Sequence, residues 1–217
     1  MLLVAVDIGN TNVVIGFLDD GHIAGTYRIT TKANHTSDEY GLMITQFLRL
    51  SGYAPGDVDD VIITSVVPKV MHSFRASIVK FLNIDPMIVG PGVKTGINIR
   101  MDNPQNMGAD CIADCAGAYY EYGGPILVAD FGTATTFNYV TADASVICGL
   151  ITTGIRTGAA ALWDATAQLP EVEITRPSSI LAKSTSQPCR PACITTSLAA
   201  SNVRSRNSIV KSTRISA

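Results

Sequence analysis

Val4 and Val6 alternate around small Ala5. Asp7, Gly9 and a run of small polar residues then interrupt the pattern before a second apolar run, Val13 to Phe17. Period-two alternation predicts strands at about 2–7 and 12–18 joined by a short polar tip. A third strand is expected at about 23–29. The period then changes. Tyr40, Met43, Ile44, Phe47 and Leu48 share one face of a helix over about 37–50, and Thr36 with Glu39 three residues on has capping-box spacing. The stretch DDVIITSVV reads as a buried strand, and PMIVG as a short one. Between them, a helix over about 69–83 turns Val70, Phe74, Ile78, Phe81 and Leu82 inward.

A second cycle begins with a helix at about 108–121. GPILVADFGTATTFNYV reads as strand, polar tip, strand; SVICGLIT is a third strand, and a helix containing Trp163 follows at about 154–168. The two tips align, Asp7-Ile8-Gly9-Asn10-Thr11-Asn12 against Asp130-Phe131-Gly132-Thr133-Ala134-Thr135. Each has D-x-G, then small polar residues, then an apolar strand. This implies an internal duplication of a βββαβ unit, with too few copies for a solenoid. The expected division is a first half at 1–117, a partial second half at 118–183 and a tail at 184–217.

That tail has no acidic residue, no aromatic and no sustained period, and it carries Arg190, Arg204, Arg206, Lys211 and Arg214. A disordered tail is the expectation. Its five basic residues are too thinly spread to signal nucleic acid, and the whole chain's net charge of −2 adds no such signal. A 47% apolar, 16% charged chain of 217 residues is globular in composition. No apolar run approaches the ~20 residues that span a bilayer. No basic region precedes the first apolar run, which argues against a signal peptide. The five cysteines are odd in number and scattered, which favours reduced thiols in a cytoplasm. Cys189 and Cys193 lack the second pair a zinc site needs.

Hairpin turns use Gly and Asn for positive φ, so one polar tip need be no more than a turn. Two matching copies, each with an aspartate at the same place, point further. Backbone N–H groups, Thr hydroxyls and Asn amides at such tips donate to phosphate oxygens. The aspartates repel phosphate and must act through a cation or a water. Two such tips facing across a cleft would grip a nucleotide's terminal phosphates. The stretch VGPGVKTG has the wrong glycine and lysine spacing for a P-loop and reads as a glycine-rich connection. Asp110 falls in the first turn of its helix, where it either stabilises the helix start or serves as the base that phosphoryl transfer to an alcohol requires. Asp114, one turn on, is expected to face solvent or serve structure.

Four segments in order, DIGNTN (7–12), NPQNMGAD (103–110), DFGTATTF (130–137) and ALWDATAQLPEVEI (161–174), resemble the type III pantothenate kinases. The resemblance covers residues 1 to about 185. It implies an α/β fold of two duplicated ribonuclease-H-like halves, as in the actin-like ATPases, around a nucleotide cleft, with the second half incomplete here. It implies ATP-dependent phosphorylation of pantothenate to 4′-phosphopantothenate, the first step of coenzyme A synthesis, in a cytoplasmic homodimer. On that resemblance Asp7, Ile8, Gly9, Asn10, Thr11, Asn12, Val13, Val14 and Thr133 bind ATP, with Mg²⁺ accompanying it. Asp110 is the catalytic base. Met101, Gly108, Ala109, Asp110, Cys111 and Thr185 lie at the substrate, and Asp130 binds a monovalent cation, K⁺ or NH₄⁺.

The chain departs from the family pattern in places. Cys111 replaces the arginine of GADR, and Met101 stands where an aromatic residue often lines the substrate site. The GGxIxPG turn reads Cys148-Gly149-Leu150-Ile151-Thr152-Thr153-Gly154. If the lost glycine needed positive φ, Cys148 would cost about 1 kcal/mol. After ILAK the pattern stops, as a shifted reading frame or a truncation would make it. Against the kinase stand two alternatives: a nucleotide-binding pseudoenzyme, and a regulatory protein that uses the fold for contacts.

Overall fold

A computed structural model describes residues 1–90, 92–167, 171 and 174. Thr185 and the rest of the 184–217 tail lie outside the described residues, so the expectations placed on them go no further. The described residues divide into two compact units, one within Met1–Lys94 and Gln105–Ala113, the other within Thr95–Pro104 and Asp114–Ala217.

The first unit is built on strands β1 (Leu2–Ile8), β2 (Asn12–Asp19), β3 (His22–Thr30), β4 (Val58–Ser65) and β5 (Met87–Ile88) in the order β3-β2-β1-β4-β5. The first three are an antiparallel meander, while β4 and β5 run parallel to β1. The alternation read in the sequence is the pleat itself. Leu2, Val4, Val6 and Ile8 turn to one face with Val13, Ile15 and Phe17, and all are buried. Helices α1 (Ser37–Leu50) and α2 (Pro68–Leu82) pack on that core through Tyr40, Ile44 and Leu48, and Val70, Phe74 and Ile78. The capping box forms: Glu39 N donates to Thr36 Oγ1 at 3.2 Å and Thr36 N to Glu39 Oε2 at 2.7 Å. Gly41 brings the two helices together, since a Cβ there would run into the ring of Phe81.

The second unit holds β6 (Asn98–Ile99), β7 (Ile126–Phe131), β8 (Ala134–Val140) and β9 (Ser145–Thr153) in the order β6-β9-β8-β7. The two-residue β6 was not anticipated; it pairs with β9 at Ser145 and Val146 and is too short to show a period. Helix α4 (Ile155–Asp164) follows β9 and buries Ala159. Helix α3 (Ala109–Tyr122) contributes residues to both units and buries Ile112 and Cys115. Cys148 lies within β9 and is not among the positive-φ residues, so the glycine-to-cysteine exchange carries no backbone cost there. Along β9, Ile147, Leu150 and Ile151 are exposed. No helix among the described residues is long and apolar enough to cross a membrane.

Candidate phosphoryl-transfer site

The first tip follows from the β1–β2 register. Asp7 pairs with Val14 and Ile8 with Val13, leaving Gly9, Asn10 and Thr11 as the loop. Neither Gly9 nor Asn10 has positive φ, contrary to the expectation for a tight turn. Positive φ sits instead at the β2–β3 turn, with Asp20 at 45° and Gly21 at 80°. Gly9 favours a close approach: its N–H donates to Asn12 O at 3.0 Å, and a Cβ would lie 3.2 Å from that oxygen. Thr31, just beyond β3, braces the loop by donating Oγ1 to Gly9 O at 2.7 Å and N–H to Thr11 O at 2.9 Å.

Of the nine residues expected at ATP, Ile8 and Val13 are wholly buried in the core, so only their backbone can meet a ligand. Asn10 and Thr11 are exposed, and Gly9, Asn12 and Val14 half-buried. Asp7 is exposed on its solvent side, yet protein atoms crowd its carboxyl. Desolvation pushes its pKa above the ordinary value, a hydrogen bond from Thr64 pulls it down, and the charge of Asp110 pushes it up. Asp7 and Asp110 therefore sense one another within the first unit.

Asp110 stands in the first turn of α3, half-buried, and its Oδ1 accepts from Cys111 N at 2.7 Å. A Cβ on Gly108 would collide with that same oxygen, so glycine at 108 clears the carboxylate's place. Ala109 and Cys111 flank the carboxylate on the helix start and are half-buried, while Asp114 is exposed, as expected. Met101 belongs to the second unit, where it lies near Gly149 of β9.

The second tip is one residue shorter. Asp130 pairs with Thr136, six positions on, where Asp7 pairs with a residue seven on. Gly132 and Thr133 form the loop, and Gly132 N donates to Ala134 O at 3.0 Å. The brace recurs: Gly154 N donates to Thr133 O at 3.1 Å and Thr157 Oγ1 to the same oxygen at 2.7 Å. A Cβ on Gly154 would stand 2.7 Å from Thr133 C and closer still to the carbonyl oxygens of Gly132 and Thr133. Asp130 is half-buried, and among the described residues no group of three or more His, Cys, Asp or Glu could hold a metal. Thr31, Thr64 and Thr157 were missed in the sequence. Thr64 alone left a trace there, as a hydroxyl directly after the apolar run Val61–Ile63.

The sequence profile of the type III pantothenate kinase family matches residues 3–202. A type III pantothenate kinase of Bifidobacterium adolescentis is 92% identical over 185 residues, which cover 85% of this chain and 72% of that protein. Among solved structures, a conserved Baf family protein from Campylobacter jejuni superposes with a TM-score of 0.52 at 18% identity, over 92% of this chain and 77% of that one. The activator of 2-hydroxyisocaproyl-CoA dehydratase from Clostridium difficile gives a TM-score of 0.50 at 14% identity, over 98% and 80% of the two chains. At these identities the two structures speak to the fold.

Proposed function

Because the chain belongs to the type III pantothenate kinase family, we propose that its two tips and Asp110 carry out ATP-dependent phosphorylation of pantothenate, which supplies coenzyme A synthesis. The fold is that of the actin-like ATPases, with the D-x-G hairpin built twice. The observation that carries the assignment of roles is the meeting of Asp7, Asp110 and Gly108 in one unit, with Asp110 at a helix start cleared by glycine.

The residues at 7–14 and Thr133 hold the phosphates of ATP, the tips presenting N–H, hydroxyl and amide donors. Asp110 accepts the proton of the pantothenate 4′-hydroxyl as that oxygen bonds to the γ-phosphorus and the bond to the β-phosphate oxygen breaks, releasing ADP. Gly108, Ala109, Cys111 and Met101 line the acceptor side, and Thr185 is assigned there by family resemblance alone. Mg²⁺ arrives with ATP and offsets phosphate charge. Asp130 holds a K⁺ or NH₄⁺ ion whose charge reconciles a carboxylate with a nearby phosphate. The protein works in the cytoplasm as a homodimer.

The test is ADP release by the purified protein, with and without pantothenate, in potassium and in sodium buffers. Pantothenate-dependent release that needs potassium supports the kinase reading and its monovalent cation, and equal release in sodium argues against a K⁺ requirement. Cys111 in place of the family's arginine favours a second reading, a nucleotide-binding pseudoenzyme. Calorimetric ATP binding without release selects that reading.

A further inference from the structure

We propose that Thr64 is a positioning residue for nucleotide binding: its hydroxyl fixes the Asp7 carboxylate of the first tip in the orientation the phosphates require. The proposal rests on the reading of that tip as a nucleotide site.

Thr64 stands opposite Asp7 in the parallel ladder of β4 and β1. Paired residues of adjacent strands emerge on the same face, so the two side chains rise together. Thr64 Oγ1 lies 2.7 Å from Asp7 Oδ1 and 3.4 Å from Val6 O. A hydroxyl has one proton, and the shorter, charge-assisted bond claims it. The anchor is inside the protein and the held group at its surface: Thr64 is 8% exposed, while Asp7 is open to solvent. Branching at Cβ leaves Thr64 few rotamers in a strand, so packing sets the direction of its donor.

Its neighbour Ser65 has a local task, accepting from Val67 N at 3.1 Å at the approach to α2. Thr64 has none; its short bond crosses 57 positions of sequence to the tip. What it opposes is also visible. Asp110's negative charge acts on Asp7, and a carboxylate at the end of a strand turns outward to water once its tether is gone. A nucleotide would then meet a tip whose charged group had moved.

The experiment compares Thr64→Val, which keeps shape and loses the donor, with Thr64→Ser, which keeps the donor and loses a methyl. Calorimetry measures Mg-ATP binding and thermal unfolding measures stability. Positioning predicts that Thr64→Val weakens binding about tenfold or more, the worth of a hydrogen bond to a charged group. Thr64→Ser should stay within about threefold, short of the ~1.4 kcal/mol that a tenfold change represents. A packing role predicts the reverse order, with Ser the weaker binder and the less stable protein. Equal binding by wild type and Thr64→Val overturns the proposal, as does a Ser variant as weak as Val. If the valine variant does not fold, Thr64→Ala against Thr64→Ser is read by the same rule. A wild-type protein that binds no Mg-ATP overturns the nucleotide reading of the tip, and this proposal with it. Binding by wild type unchanged in the valine variant removes the role of Thr64 alone.

Discussion

Gly154 offers the sharpest test of how the second tip is held. It sits between the end of β9 and the start of α4, and its N–H bonds to Thr133 O at 3.1 Å. Replacing it with alanine adds one methyl, aimed at Thr133 C from 2.7 Å and at two carbonyl oxygens from nearer. All of these are backbone atoms, so no side chain can rotate out of the way. Either α4 retreats or the loop of Gly132 and Thr133 does. Gly154 has φ −66°, which alanine adopts freely, so the cost is steric alone. Overpacking of this kind costs about 1–3 kcal/mol, and backbone neighbours place Gly154→Ala at the upper end. A tip displaced by even part of an ångström loses aim at its phosphates, and about tenfold or more in nucleotide affinity should go with it. Gly158→Ala is the control. Its Cβ would meet Thr153 Cγ2 at 3.9 Å, ordinary contact, and a helix interior gains about 0.8–1 kcal/mol when glycine becomes alanine. Urea unfolding and calorimetric titration with Mg-ATP measure both. A Gly154→Ala protein with wild-type midpoint and affinity, or a Gly158→Ala protein equally damaged, refutes the steric reasoning.

Other outcomes follow from the first unit. Because the folded protein raises the pKa of Asp7, its charge works against folding once pH exceeds the ordinary carboxylate value, and the effect fades as pH falls below about 4 and both states become protonated. Asp7→Asn should therefore stabilise the ligand-free protein at pH 7, with the gain vanishing toward pH 3.5, while nucleotide affinity falls; a gain that persists undiminished in acid contradicts the assignment. Asp110→Asn should lower kcat by about 10²–10⁴ with Mg-ATP affinity retained, as loss of a general base does, and an unchanged kcat in steady-state assay excludes that role. Cys111→Arg should raise kcat/KM by about tenfold or more if a charge-assisted contact to substrate is restored; an unchanged value in the same assay shows that position 111 does not limit turnover.

The capping box and the strand periods are legible in the sequence, while the tip geometry and the long-range contacts are not. Thr36 and Glu39 forecast their capping box because both partners lie within one turn. The strands of the meander were legible because the pleat stamps its period on Val4, Val6, Val13, Ile15 and Phe17, all buried on one face. The positive φ expected of the tip glycines is absent. At Gly9 it is the close approach of Asn12 O that favours glycine, and no dihedral rule reveals such an approach. The bond from Thr64 to Asp7 was out of reach because it depends on which strand lies beside β1 and in what register. The one-residue difference between the tips was hidden for the same reason, since D-x-G aligns the letters while hydrogen bonding counts the loop.

The braces show why the duplication matters beyond resemblance. In each unit a threonine placed after the third strand donates its hydroxyl to a carbonyl of the tip loop: Thr31 to Gly9 O and Thr157 to Thr133 O, both at 2.7 Å. A backbone N–H also reaches each loop, from Thr31 to Thr11 O and from Gly154 to that same Thr133 O. A loop whose carbonyls are tied down from behind cannot swing them toward a phosphate, where they would repel. The N–H groups of Gly9 and Gly132 are spent within the loops as well, on Asn12 O and Ala134 O, so on the proposed reading the stiffened tips would meet a phosphate through their remaining donors.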